Sequence, residues 1–210
     1  MELIKHLSWR YATKKFDATK KVSEESIELL EEAIRLSASS YGFQPYKVMI
    51  ISQDELRQQL RPLTWDQSQV VDASHLFVFC SQLEFTDEQV DEYITRKSET
   101  QGIPLDKLGG YADFMKTKLK EKSPEIMKHW TAKQTYLALG NLLAACAELK
   151  IDTCPMEGFE AAAYDKILGL KDKGLTTTVL MAVGYRSEKD KNQHLTKVRK
   201  NKGQLFGRFL

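Results

Sequence analysis

From Ser23 to Ser40 apolar and polar positions recur with the period of a helix. Ile27, Leu30, Ala33, Ile34 and Ser37 fall on one face, and Ser23 precedes them as a plausible N-cap. The period then changes. "YKVMIIS" (46–52) is apolar and rich in β-branched residues and predicts a strand; "DELRQQL" after it is polar and predicts a helix. "SHLFVFC" (74–80) predicts a second, buried strand, and "LTTTVLMAVGYR" (175–186) a third. Residues 86–122 are highly charged and hold Gly102, Pro104, Gly109 and Gly110, which predicts two surface helices joined by a loop.

Ser123 and Pro124 form an N-cap and first-turn pair, opening a helix that runs to about residue 150. From Tyr136 onward it is apolar on nearly all sides, which implies burial on every face and a central or interface position. "DTCPMEGF" reads as a loop or short strand, and "EAAAYDKILGL" as a helix ended near Gly169. Three strands interleaved with more numerous helices make a mixed α/β, α+β architecture, with no repeat or linker to divide it.

Composition narrows the partners. With 31 basic and 29 acidic residues the net charge is only +2, so no global field points to nucleic acid, and anion binding must come from local clusters. No run approaches the roughly 20 apolar residues of a membrane span. The start lacks the pattern of a secretory signal, and Cys80, Cys146 and Cys154 sit singly in apolar segments, as reduced core thiols of a cytoplasmic protein do. Cys154, beside Pro155, would act as a nucleophile only in a basic, accessible niche.

Several chemistries have no motif to carry them: Gly-x-Gly-x-x-Gly, a phosphate loop, Cys-x-x-Cys, His-Glu-x-x-His and Gly-x-Ser-x-Gly are all absent, and the four histidines are scattered. What remains is a set of polar islands beside small residues: "RYATK" (10–14), "SASSYGFQPY" (37–46), "WDQSQ" (65–69), "PMEGF" (155–159) and "KVR" (197–199). Arg10, Lys14, Lys197 and Arg199 can surround a phosphate, since guanidinium groups bind it through paired hydrogen bonds and ammonium groups add point charge. A solvated basic surface is the plainer reading of the same residues. Gly158 permits either a tight bend or the approach of a flat ligand to the backbone, and Gln44-Pro45-Tyr46 stiffens the entry to a strand.

Taken in order, "RYATKKFD", "SASSYGFQPYKV", "WDQSQVVDASHLFVFC", "KQTYLALGNLLAACAELKID", "PMEGFEAAAYDKILGLKDKG" and "VGYRSEKDKNQHLTKVRK" resemble the FMN-dependent nitroreductases, the oxygen-insensitive NAD(P)H nitroreductase and dihydropteridine or flavin reductase group, across essentially the whole chain. The resemblance implies a nitroreductase-like fold with a mostly antiparallel central sheet flanked by helices. It further implies one FMN-binding domain over residues 1–210, with a helical excursion at about 86–122 and a C-terminal arm at about 195–210, in an intertwined homodimer with sites at the interface.

By the same resemblance Arg10 and Lys14 match phosphate and flavin-ring contacts, and Ala12 replaces a frequent serine. Ser39 and Ser40 match small residues that reach the flavin from the neighbouring subunit. Asp66 stands where asparagine is common, and Gln69 where lysine or glutamine occurs. Pro155, Met156, Glu157 and Gly158 would line one face of the isoalloxazine, with the N–H groups of Glu157 and Gly158 near N5 and O4. Lys197 and Arg199 match the C-terminal phosphate clamp, with Thr196 in place of a frequent proline. The activity implied is ping-pong hydride transfer from NADH or NADPH through FMN to small acceptors (nitroaromatics, quinones, pteridines or flavins), with Lys14 as electrostatic support, no side-chain acid or base and no metal. A flavin-binding or storage protein without turnover is the alternative. Tyr41 and Phe43 are possible channel residues; Tyr111 and Phe114 either stack on aromatic acceptors or anchor a lid to the core.

Overall fold

The run "LFVFC" (76–80) has no polar position to turn toward water, and it forms the middle of an inner strand. In the computed structural model, which describes residues 1–209, β1 (Tyr46–Ile51), β2 (His75–Gln82), β3 (Asp152–Met156) and β4 (Leu175–Gly184) form one sheet in the order β1-β2-β4-β3, every neighbouring pair antiparallel. β3 resolves the "DTCPMEGF" segment as a strand: it pairs Asp152 with Gly184 through to Met156 with Leu180. Its Pro155 lies on the sheet's edge strand, where a missing N–H costs no ladder bond.

Strand alternation sends residues to two cores. Leu76, Val78, Cys80, Leu180 and Ala182 face one side with Cys154, Met156 and Tyr164; Phe77, Phe79, Val179, Met181 and Val183 face the other with Leu30, Leu142 and Cys146. Each fully buried side chain of this size contributes about 1.5–3 kcal/mol. Helix α2 (Glu24–Arg35) begins where expected, with Ser23 Oγ accepting from the N–H of Ser26, and buries Ile27, Leu30 and Ile34. Helices α3 (Asp54–Leu60) and α4 (Gln69–Asp72) lead into β2.

The charged segment forms α5 (Asp87–Gln101), capped by Thr86 and Gln89, and α6 (Leu105–Lys120). Together with the start of α7 (Pro124–Glu148) they enclose a third cluster of Val90, Ile94, Leu108, Ala112, Met115, Leu119 and Met127. Phe43 is buried within it, 4.6 Å from the Phe85 ring and 5.0 Å from Tyr93, so it anchors the excursion, and its edge also borders a pocket beside Gln44 and Tyr46. Tyr111 and Phe114 lie on the exposed face of α6, so they do not tie it to the core.

Helix α7 departs from burial on every face. Its inner side is covered at Ala138, Leu139, Leu142 and Cys146, whereas Tyr136, Leu137, Gly140 and Asn141 are exposed within one chain. Hydrophobic count alone could not separate a helix covered by its own chain from one with an apolar strip left open. The periodicity reading also assigned no helix at the start, where α1 (Glu2–Trp9) packs on α7 and His6 Nδ1 lies 2.5 Å from Glu148 Oε2. α8 (Ala161–Leu168) ends at left-handed Gly169 as expected, and the C-terminal segment holds only the single turn α9 (Lys202–Leu205). Leu205, Phe206 and Phe209 of that segment are exposed; Leu210 lies outside the described residues. No helix among the described residues is long and apolar enough to cross a membrane.

Candidate functional site

Two irregular segments, 10–16 and 186–199, meet beside the edge strand β3. The first is held by a parallel bridge between Ala12 and Thr153 and an antiparallel one between Phe16 and Arg186. Between them opens a cleft of about 530 Å³, lined by Arg10, Ala12, Lys14, Pro155, Lys197 and Arg199, six of the sequence-predicted residues, together with Trp9, Tyr11 and Thr196. Chain positions nearly 190 residues apart therefore share one wall; the Lys197 ammonium donates to the Arg10 carbonyl.

The cations of the cleft are left without counter-charge. None of Arg10, Lys14, Lys197 and Arg199 forms an ion pair among the described residues. The buried Arg10 Nε has no hydrogen-bond partner among the described residues. Burial, then repulsion from Arg199, lowers the pKa of Arg10; burial, then Arg10 and Arg199, lowers that of Lys197. Desolvating like charges side by side is unfavourable unless an anion joins them. A phosphate fits this donor set, two guanidinium and two ammonium groups lining one cleft.

Three residues outside the predicted set build the frame. Asp190 is buried and accepts from Tyr11 Oη (2.9 Å), from the N–H groups of Lys14 (2.7 Å) and Lys15 (3.1 Å), and from the N–H of Asn192 (3.0 Å). Burial raises its pKa, and these bonds more than offset that, so the net shift is downward. Asp152, also buried, holds Arg186 through Nε (2.8 Å) and Nη2 (2.5 Å), and the Arg186 guanidinium lies over the rings of Trp9 (4.3 Å) and Tyr11 (4.7 Å). The one sequence signal for Asp190 is local: an aspartate whose side chain takes the N–H two residues on makes an Asx turn.

The remaining predicted residues occupy two other places. Met156 is buried in the core, so only its backbone is free to face a ligand. Glu157 is exposed and accepts from Tyr136 Oη of α7, and Gly158 accepts from Gln67 Nε2 (3.2 Å). Burial and that carboxylate push the Tyr136 hydroxyl up to about 12. A Cβ on Gly158 would fall 2.5 Å from the Trp65 ring, so within this chain the flat group that needs a glycine there is an indole. Trp65 is 70% exposed, and it and Asp66 are both left-handed at φ +53° and +55°. Such a pair, with a tryptophan in it, is a strained turn of the kind that collects at functional sites. Asp66 lies 3.9 Å from Arg61, and Gln69 is buried at the start of α4.

Ser39 and Ser40 do not line the cleft. Ser39 Oγ accepts from the N–H of Gln44, and the N–H of Ser40 donates to Gln134 Oε1 of α7 (2.8 Å). They sit in a second strained loop, with Tyr41 at φ +58° and Gln44 at +50°. All three cysteines are buried and free, and burial raises the thiol pKa of each, to about 12 at Cys80, which leaves Cys154 no accessible, activated niche.

The model of the Nitroreductase family matches residues 7–185. The major NAD(P)H-flavin oxidoreductase of Aliivibrio fischeri is 34% identical, with 94% of each chain covered. The oxygen-insensitive NAD(P)H nitroreductase of Enterobacter cloacae is 32% identical, with 95% of each covered. Among solved structures, a protein of Exiguobacterium sibiricum crystallised in complex with FMN superposes with a TM-score of 0.85 at 17% identity, over 100% of this chain and 98% of the other.

Proposed function

The chain belongs to the nitroreductase family, and from that premise we propose that the cleft between residues 10–14 and 197–199 holds the phosphate of FMN in an NAD(P)H-dependent oxidoreductase. The observation that carries the reading is the group of four unpaired cations, one with a buried nitrogen that lacks a partner. Bound there, FMN would supply the hydride chemistry that links NADH or NADPH to an oxidised acceptor. The protein's residues hold and orient. Arg10, Lys197 and Arg199 bind phosphate, and Lys14 supports negative charge on the ring. Ala12, Pro155, Met156, Glu157 and Gly158 would bound the flavin, with Asp66 near its pyrimidine edge and Gln69 a further candidate contact.

In this reading donor and acceptor use one place in turn, a ping-pong order, and the acceptors are nitroaromatics, quinones, pteridines or flavins. A second copy completes the site, bringing Ser39 and Ser40 to it and covering the outer strip of α7. That pairing also accounts for the exposed Leu205, Phe206 and Phe209, which a lone chain leaves in water at about 25 cal/mol per Å².

The test is the visible spectrum of the purified protein, with the chromophore identified after denaturation. FMN at close to one per chain, bleached by NADH or NADPH and recoloured by a quinone or nitroaromatic, is the expected result. A colourless protein that cannot be reconstituted with FMN would overturn the reading.

A further inference from the structure

We infer that Asp190 is the positioning residue that sets the spacing between the two halves of the phosphate clamp, and so confers preference for a phosphorylated flavin over an unphosphorylated one; this rests on the FMN reading of the cleft. The residue touches no ligand in this scheme. It acts through the two segments that do.

A carboxylate this close to an anion site works against binding unless its charge is absorbed locally. At Asp190 it is absorbed: Oδ2 takes three donors from the N-terminal segment, Tyr11 Oη and the Lys14 and Lys15 N–H groups, and Oδ1 takes the Asn192 N–H of the C-terminal segment. Neither segment has a strand or an α-helix of its own between 10 and 16 or between 186 and 199. Outside the side chain, the two are linked by the Ser187 N–H to the Lys15 carbonyl, the Lys197 ammonium to the Arg10 carbonyl, the bridge at Phe16 and Arg186 and the Arg186 guanidinium over the Tyr11 ring. Asp190 alone grips both at once through four bonds, and its backbone carries the turn onward, its carbonyl accepting from Gln193. Phosphate bound by converging cations depends on their spacing, because each fork is directional.

Asp190→Asn preserves the volume and removes this arrangement. One amide oxygen can serve the Tyr11–Lys15 side, and the amide N–H₂ then confronts the Asn192 N–H, donor against donor. The bonds that cross between the halves lose the charge that strengthens them, and the turn that aims residue 190 at the N-terminal segment loses its bond to Asn192, so the coupling of the two halves is weakened.

The experiment titrates the apoprotein and its Asp190→Asn variant with FMN and with riboflavin, following quenching of flavin fluorescence, with thermal unfolding recorded alongside. The expected outcome is FMN affinity weakened about tenfold or more in the variant, with riboflavin affinity changed less than about twofold. Equal weakening toward both ligands makes Asp190 a structural residue only, and no change in either removes it from the clamp; both overturn the inference. If the asparagine variant does not fold, Tyr11→Phe deletes one of the four bonds and keeps the ring against Arg186. FMN weakened about threefold with riboflavin unchanged then supports the inference, and parallel or absent change overturns it. Wild-type protein that binds FMN no better than riboflavin defeats the phosphate reading of the cleft itself, a result separable from any effect of the variants.

Discussion

The proposed flavin site is built differently at its two ends. At the phosphate end, everything needed lies in one chain: four cations are brought together, and two buried carboxylates, Asp152 and Asp190, hold the segments that bear or flank them. At the ring end the parts are dispersed. Glu157 and Trp65 are exposed, Ser39 and Ser40 sit away from the cleft against α7, and the outer strip of that helix is bare. Charge must be pre-organised by covalently connected structure, because like charges do not gather unaided. Apolar cover has no such requirement, and a second copy can provide it by symmetry.

The most forceful way to break that comparison is Leu137→Asp. Leu137 is 52% exposed within one chain, so an aspartate there should leave the folded chain intact. In a two-fold contact through α7 it would bury an unpaired charge, which costs about 3–5 kcal/mol, or roughly a 150- to 5,000-fold weaker association. Light scattering should show a wild-type dimer and a variant monomer that loses FMN on gel filtration. A variant that stays dimeric would place the interface elsewhere and leave the ring end without its proposed cover.

Arg10→Ala attacks the other end. Loss of a charge-assisted contact to phosphate should weaken FMN by about 2–3 kcal/mol, roughly 30- to 150-fold, and leave the dimer untouched. The Arg10 carbonyl that receives Lys197 is kept, so the chain path survives. Calorimetric titration with FMN measures the loss; an affinity equal to wild type would mean that Arg10 faces water and that the plainer, solvated reading of these cations was right.

What the sequence disclosed follows the same division. The inner strands and α2 were legible because burial writes a period into the chain, whereas Arg10, Lys14, Lys197 and Arg199 were singled out by the resemblance of their segments to a family's phosphate contacts, their residue types alone leaving a solvated surface as the plainer reading. Asp190 was not, since one acid among 29 carries no mark of being buried until the fold supplies four donors to it. The left-handed turn at Trp65 and Asp66 was not legible for a related reason: such a backbone is announced by glycine or asparagine, and tryptophan gives no such signal. β3 was ambiguous because Pro155 argues against a strand except at an edge, and which strand is an edge is a property of the assembled sheet. The open strip on α7 has the residue types of a core, and what covers a core residue is not encoded locally.

The smallest effect belongs to Asp66, where the ring end carries a charge of its own. Asparagine also tolerates the left-handed conformation, so Asp66→Asn should preserve the turn and the Asp66 N–H bond to the Arg61 carbonyl (3.2 Å) while removing the carboxylate. A negative group at the pyrimidine edge opposes the charge of reduced flavin, so the substitution should raise the two-electron midpoint potential of bound FMN. The rise should be only about 10–20 mV, because the side chain is largely exposed and Arg61, 3.9 Å away, already offsets part of its field. Arg61→Gln provides the sign control: it should lower the potential while Asp66 is present, by unmasking that carboxylate, and lower it less in the Asp66→Asn background. Spectroelectrochemical titration of the four proteins separates the cases. If Asp66→Asn leaves the potential unchanged, the carboxylate is remote from the ring, and the strained Trp65–Asp66 turn then serves the packing of the indole on Gly158 and not the flavin.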